Sequence, residues 1–275
     1  MGNFVILTLI FTDHHLHTPM YFFLSNLSVL DIGYTSNIFP KLLDIFITGN
    51  DSISFSSCFV QLYFFMSLTC SEFLILAVMA YDRYVAICNP LSYSLIMNKR
   101  ACTLLAAGSW VLGFLDPVTH IILMSIMSFC HSNEIDHFFC DLATLLNLSC
   151  SSTFLVELLS YILGSFLGVS SFLVILMSYT YIIFAILRIR STEGRYKAFS
   201  TCSSHLTVVI LFCGTVIGLY MHPSSMQSQE KSKLFSMLYV TLIPLFNPII
   251  YSLKNKDVKN ALTRAMCTNY NIVRR

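Results

Sequence analysis

Met79-Ala80-Tyr81-Asp82-Arg83-Tyr84-Val85-Ala86-Ile87-Cys88 decides how this chain is read. Residues 58–79 before it carry one charge, Glu72. An acid and a base then stand side by side, with apolar residues resuming at once. A charged pair costs free energy in lipid, so it belongs at an interface or against a protein partner. The stretch reads as the cytoplasmic end of a membrane helix and as the switch on which function turns.

The composition agrees with a membrane setting. Apolar residues make up 56% and charged residues 11%, against about 25% charged in soluble domains. The apolar residues fall in long blocks, which implies one all-α polytopic bundle. A net charge of +2 gives no case for nucleic acid. Full spans are predicted at about 20–45, 58–87, 101–124, 158–189, 198–221 and 234–253. A first apolar block at 2–12 is only partial, since a spanning helix needs roughly 20 residues. Pro19 suits a first helical turn, and Pro244 and Pro248 predict kinks in the last span. The tail at 255–267 is amphipathic and basic, as a helix lying on membrane lipid would be. Met1 runs directly into apolar sequence, so no cleavable signal peptide is expected.

Charge sets the topology. Of the 16 Lys and Arg, all but Lys41, Lys231 and Lys233 lie at 83–100, 188–197 or after Leu253. The positive-inside rule makes those regions, and the C-terminus, cytoplasmic. The loop at 131–152 holds Glu134, Asp136 and Asp141 but no base, and is extracellular.

Ten cysteines show no metal-finger spacing. Cys70, Cys88, Cys102, Cys202 and Cys213 lie in or beside apolar blocks, where thiols act as small hydrophobes. Cys58, Cys130, Cys140 and Cys150 fall at extracellular loop positions, where thiols oxidise. Four cysteines allow three connectivities. A metal site from His131, His137, Cys140 and Asp141 is the rival use of that loop.

With these landmarks placed, the chain resembles an olfactory (odorant) receptor of the tetrapod-type class, a rhodopsin-like class A G-protein-coupled receptor. The resemblance covers essentially the whole chain. It rests on Leu16-His17-Thr18-Pro19-Met20-Tyr21-Phe22-Phe23-Leu24-Ser25-Asn26-Leu27-Ser28, on the stretch at 79–88, on Lys197-Ala198-Phe199-Ser200-Thr201-Cys202-Ser203-Ser204-His205-Leu206, and on Asn247-Pro248-Ile249-Ile250-Tyr251-Ser252-Leu253. It implies a seven-transmembrane bundle at the plasma membrane. Odorants bind in its outer half, and a stimulatory olfactory-type heterotrimeric G protein docks inside and raises cyclic AMP.

The resemblance also assigns residues. Asp82, Arg83 and Tyr84 would be the G-protein switch, with Arg83 swinging from Asp82 toward Tyr179 or Tyr251. The basic loop at 188–197 and residues 197–205 would complete the docking face. Asp31 and Glu72, with Asn3 and Asn247, resemble a sodium pocket; the alternative is a hydrogen-bonded structural pair sharing a proton. Cys58 would pair with Cys140, and Cys130 with Cys150. Phe65, Met66, Thr69, Cys70, Leu163, Leu167, Val216, Ile217, Tyr220 and Met237 would line an apolar ligand pocket. Cys213 departs from the family, which usually has Tyr there. Asn50 and Asn147 are outward sequons, whereas the Asn26 sequon lies inside a span.

In the family, Gly2-Asn3 falls midway along the first helix. An extracellular tail and half a helix are therefore expected upstream, or else the chain is a truncated, non-signalling remnant. An ion-coupled transporter through Asp31 and Glu72 is a further alternative, but no inverted repeat supports it. No nucleotide loop, metal cage or nucleophile triad points to an enzyme.

Overall fold

The structure is a computed structural model whose described residues are 1–130, 134–220, 229–254 and 257–264. The helices are α1 (Gly2–Thr12), α2 (Pro19–Thr48), α3 (Phe55–Cys88), α4 (Tyr93–Ile96), α5 (Lys99–Ser125), α6 (Leu142–Asn147), α7 (Phe154–Arg188), α8 (Thr192–Tyr220) and α9 (Gln229–Lys254). A tenth, α10, covers 257–264. Among the described residues the sole β pairing is an isolated bridge between Phe129 and Ser149.

The long helices run past the apolar blocks because capping chemistry, not hydropathy, ends them. Ser54 caps α3 by accepting from the Ser57 N–H, and Asn98 caps α5 by accepting from the Ala101 N–H at 3.0 Å. Lys99 and Arg100, expected in a loop, therefore form the first turn of α5. Pro19 opens α2, and Gly49 closes it at φ 71°, a left-handed conformation that favours glycine. Pro117, Pro244 and Pro248 lie inside continuous helices.

α3 is the axis of the bundle. It packs against α2, α5, α7 and α8, while α1 and α9 close the ring through α2. More than half of its most apolar window is buried (56%), against 28% for α5 and 33% for α7. Those two helices turn Leu104, Val111, Leu115, Phe166, Leu173 and Phe184 outward. A helix apolar on its outer face needs lipid there. α3, α5 and α7 are each long and apolar enough to cross a membrane.

The main core runs through the bundle from Leu16 and Leu24 to Ile75, Ile182, Phe212 and Tyr251. A smaller cluster gathers Cys58, Phe59, Leu62, Met124, Cys140, Leu145 and Val156 beneath the segment between α5 and α7.

Candidate functional site

Three polar zones lie along α3, at its inner end, its middle and its outer third. At the inner end Asp82 is fully buried and Arg83 nearly so (7% exposed). Arg83 Nε donates to Asp82 Oδ2 at 3.0 Å, and Arg83 Nη2 forms an ion pair with the same oxygen. The other carboxylate oxygen accepts from the Tyr93 hydroxyl at 2.8 Å. Burial, then the adjacent carboxylate, hold the Tyr93 phenol far above its ordinary pKa, so it remains a donor. Tyr93 sits on α4, a single turn after Pro90, and hydropathy gave no hint of it.

Across from Arg83, Tyr179 of α7 and His205 Nδ1 of α8 share a hydrogen bond of 2.6 Å. Among the described residues, His205 Nε2 and the Tyr251 hydroxyl are buried without a hydrogen-bond partner. Met20, Met79, Asp82, Arg83 and His205 enclose a cleft with no room for a water molecule. Tyr179 and Tyr251 thus lie within electrostatic reach of Arg83 and its partner Asp82. Tyr84 does not join them; it stacks at a tilt between Tyr81 and Tyr181 on the α7 side. The docking face expected at 197–205 is divided as well. Cys202, Ser204 and His205 are buried in the bundle, while Tyr196 and Phe199 are exposed. The helical period sends alternate parts of that motif inward and outward.

At mid-membrane, Asn247 of α9 donates to both oxygens of Asp31, at 3.0 and 3.1 Å. Asn3 donates to the Pro244 carbonyl at 3.2 Å, leaving its own Oδ1 buried and unmatched. Glu72 is fully buried, and among the described residues neither carboxylate oxygen has a hydrogen bond of regular geometry, the Tyr34 hydroxyl being the polar group nearest to hand. Tyr34, beside it, gives its proton to Thr69 Oγ1 at 2.6 Å. Buried polar groups are nearly always matched, so three orphaned oxygens around two acids are a set of hard donors that suit a hard cation.

In the outer third, Phe65 is buried, and Met66, Thr69, Cys70, Leu163, Leu167 and Met237 are half-buried. The side chains of Val216, Ile217 and Tyr220 lie outside the described set. The segment between α5 and α7 reaches down to this level. Disulfides join Cys58 to Cys140 and Cys130 to Cys150, with Cα separations of 5.5 and 5.9 Å. Cys140 N–H donates to Gln61 Oε1 at 2.9 Å. Phe139 lies 5.0 Å from Phe65, centroid to centroid, and His137 Nε2 lies 3.3 Å from Ser236 Oγ on α9. Phe139 thus covers the position predicted to hold ligand, a role no helical period could reveal. Cys140 is used in a disulfide and His131 lies outside the described residues. Among the described residues no group of three His, Cys, Asp or Glu is placed to hold a metal. Burial raises the Asp141 pKa, opposed by His137 and the first N–H groups of α6.

Asn50 and Asn147 are exposed, whereas Asn26 accepts from Trp110 Nε1 at 2.9 Å inside the bundle. Asp116 stands in α5, inside a run from 101 to 187 that holds no Lys or Arg.

The comparisons match this geometry. The olfactory receptor family model fits residues 1–269. The chain belongs to the olfactory receptor family. Olfactory receptor 5AR1 of Mus musculus is 51% identical over 264 residues, covering 96% of this chain and 85% of that protein. The Homo sapiens form of 5AR1 is 50% identical over the same shares. Olfactory receptor 8D4 of Homo sapiens is 48% identical over 97% of this chain and 85% of its own. Squid rhodopsin superposes with a TM-score of 0.75 at 18% identity, over 96% of this chain and 80% of that one, which shows the fold. The receptor is therefore a multi-pass membrane protein with the seven-helix fold of G-protein-coupled receptors, and not an enzyme.

Proposed function

We propose that the receptor senses small, volatile, mostly apolar odorants in the outer half of its bundle. It then activates a stimulatory olfactory-type G protein that raises cyclic AMP. In this reading it sits in the plasma membrane with its C-terminus in the cytoplasm. The observation that carries the reading is the continuity of α3. One rigid helix links Phe65, Met66, Thr69 and Cys70 near its outer end to the Asp82–Arg83 pair at its inner end. A ligand shifts such an equilibrium only by binding one arrangement better than the other. Release of Arg83 from Asp82, toward the orphaned Tyr251 hydroxyl and the Tyr179–His205 pair, would expose a site for the G protein.

Sodium between Asp31, Glu72, Asn3 and Asn247 would hold the resting arrangement. Support comes from the unmatched oxygens of Glu72 and Asn3. The ion would supply positive charge that stabilises two acids in low dielectric.

The test is an odorant panel read out by cyclic AMP, run beside Arg83→Ala at matched surface expression. The expected result is an odorant response in the parent that the variant loses. A response that survives the substitution removes the switch assignment, and a panel without any response at confirmed surface expression refutes the sensing role.

A further inference from the structure

Asp116 is the single acid of α5, and nothing above gives it a task. Its Oδ2 accepts from the Cys70 thiol at 3.3 Å. Among the described residues no Lys or Arg pairs with its carboxylate, His120 Nδ1 reaches only its main-chain carbonyl at 3.4 Å, and Oδ1 has no hydrogen bond. A thiol is a weak donor. A carboxylate within a membrane helix is costly to keep, and ionisable groups there are functional by default.

The packing holds this acid against α3. One turn before it, Gly113 lies so close to Ser71 that a Cβ would meet the Ser71 backbone nitrogen at 2.7 Å. That approach brings Asp116 level with Cys70. One turn beyond it, His120 is buried, with Nε2 3.1 Å from Ser160 Oγ of α7. A polar seam therefore joins α3, α5 and α7 within an apolar bundle. Met66 lies one turn outward of Cys70 on α3, and Phe65 is beside it.

We infer that Asp116, flanked by Cys70, is a recognition point for small amines. A carboxylate only accepts hydrogen bonds, so its unmatched oxygen takes an N–H donor, and its charge takes an ammonium. The apolar body of such a ligand lies outward, against Met66 and Phe65. This rests on the odorant-sensing reading for the location of the pocket, and it adds a polar ligand class to that apolar set.

The test uses the full chain in nanodiscs, with thermal unfolding as the binding readout, so that it does not depend on G-protein coupling. The probes are hexylamine, hexanol and hexanoate, identical in chain length. In the parent receptor hexylamine stabilises most and hexanoate least. In Asp116→Asn, which keeps shape and removes charge, the apparent affinity for hexylamine falls about tenfold or more, while that for hexanol stays within about threefold. An amine no better than the alcohol overturns the inference, and so does an amine effect untouched by the substitution. The parent ranking stands without the variant if Asp116→Asn fails to fold. Cyclic AMP is measured separately in cells. Hexylamine that stabilises without signalling leaves the amine site intact and counts against the signalling reading. Odorant signalling without an amine preference does the reverse.

Discussion

Gly113→Ala tests how closely α5 is seated on α3, with Gly108→Ala as its control. Both glycines lie in α5. Alanine is favoured over glycine in a helix by about 0.8–1.0 kcal/mol, and that gain is common to both variants. The surroundings differ. A Cβ at Gly108 meets nothing within 4 Å, whereas at Gly113 it meets Ser71 N at 2.7 Å and Ser71 Cα at 2.9 Å. Those are backbone atoms and cannot rotate away, so the helices must separate. Overpacking of this kind costs about 1–3 kcal/mol. The difference between the two variants isolates that cost. At about 2–4 °C per kcal/mol for a chain of this size, Gly113→Ala should melt roughly 2–12 °C below Gly108→Ala. The assay is thermal unfolding of purified receptor in one detergent or nanodisc preparation. Separation of the helices also draws Asp116 from Cys70, so Gly113→Ala should weaken hexylamine stabilisation as well. Equal melting temperatures for the two variants would refute the close packing of α5 on α3.

Replacing choline by sodium should raise the melting temperature, by about 1 kcal/mol of stability at roughly five times the ion's Kd; Asp31→Asn should abolish the difference, and a sodium effect that persists would place the ion elsewhere. Cys140→Ser opens a disulfide spanning 82 residues and should lose about 2–5 kcal/mol and most surface delivery, whereas Cys130→Ser opens one spanning 20 and should lose about 1 kcal/mol less by loop entropy; surface labelling and unfolding measure both. Arg264, which donates to Asp13 at the inner end of α1, lowers the pKa of that carboxylate, helped by His15. A depressed carboxylate stabilises the fold above its ordinary pKa and loses that contribution as pH falls below it. The melting temperature should therefore decline on acidification below about pH 4, and Asp13→Asn should flatten that slope; an unchanged slope would dismiss the contact of α10 with the α1–α2 turn as unimportant.

Much of the architecture was legible because membrane insertion imposes simple rules. Apolar length marked the long helices. The charged pair at 82–83 marked the inner end of the third span without any structure. What misled or stayed silent was local and directional. Hydropathy placed Lys99 and Arg100 in a loop, but the Asn98 cap draws them into α5. The motif at 197–206 looked like one docking surface, yet the turn of α8 buries His205 and exposes Phe199. Tyr93 and Phe139 come from a one-turn helix and a loop, where no period predicts which way a side chain points.

The third span shows where the two sources of information divide. Its sequence alone determined a long apolar helix, with Glu72 inside and Asp82–Arg83 at its end, because burying charge in lipid is costly wherever the partners are. Tertiary structure decided which partners those charges have. Tyr93 and Arg83 hold Asp82, Asn247 holds Asp31, Glu72 keeps two unmatched oxygens, and Asp116 reaches Cys70 across the Gly113–Ser71 contact. Sequence spacing fixes neighbours on one helix, but those pairings join helices far apart in the chain and depend on how closely the helices pack.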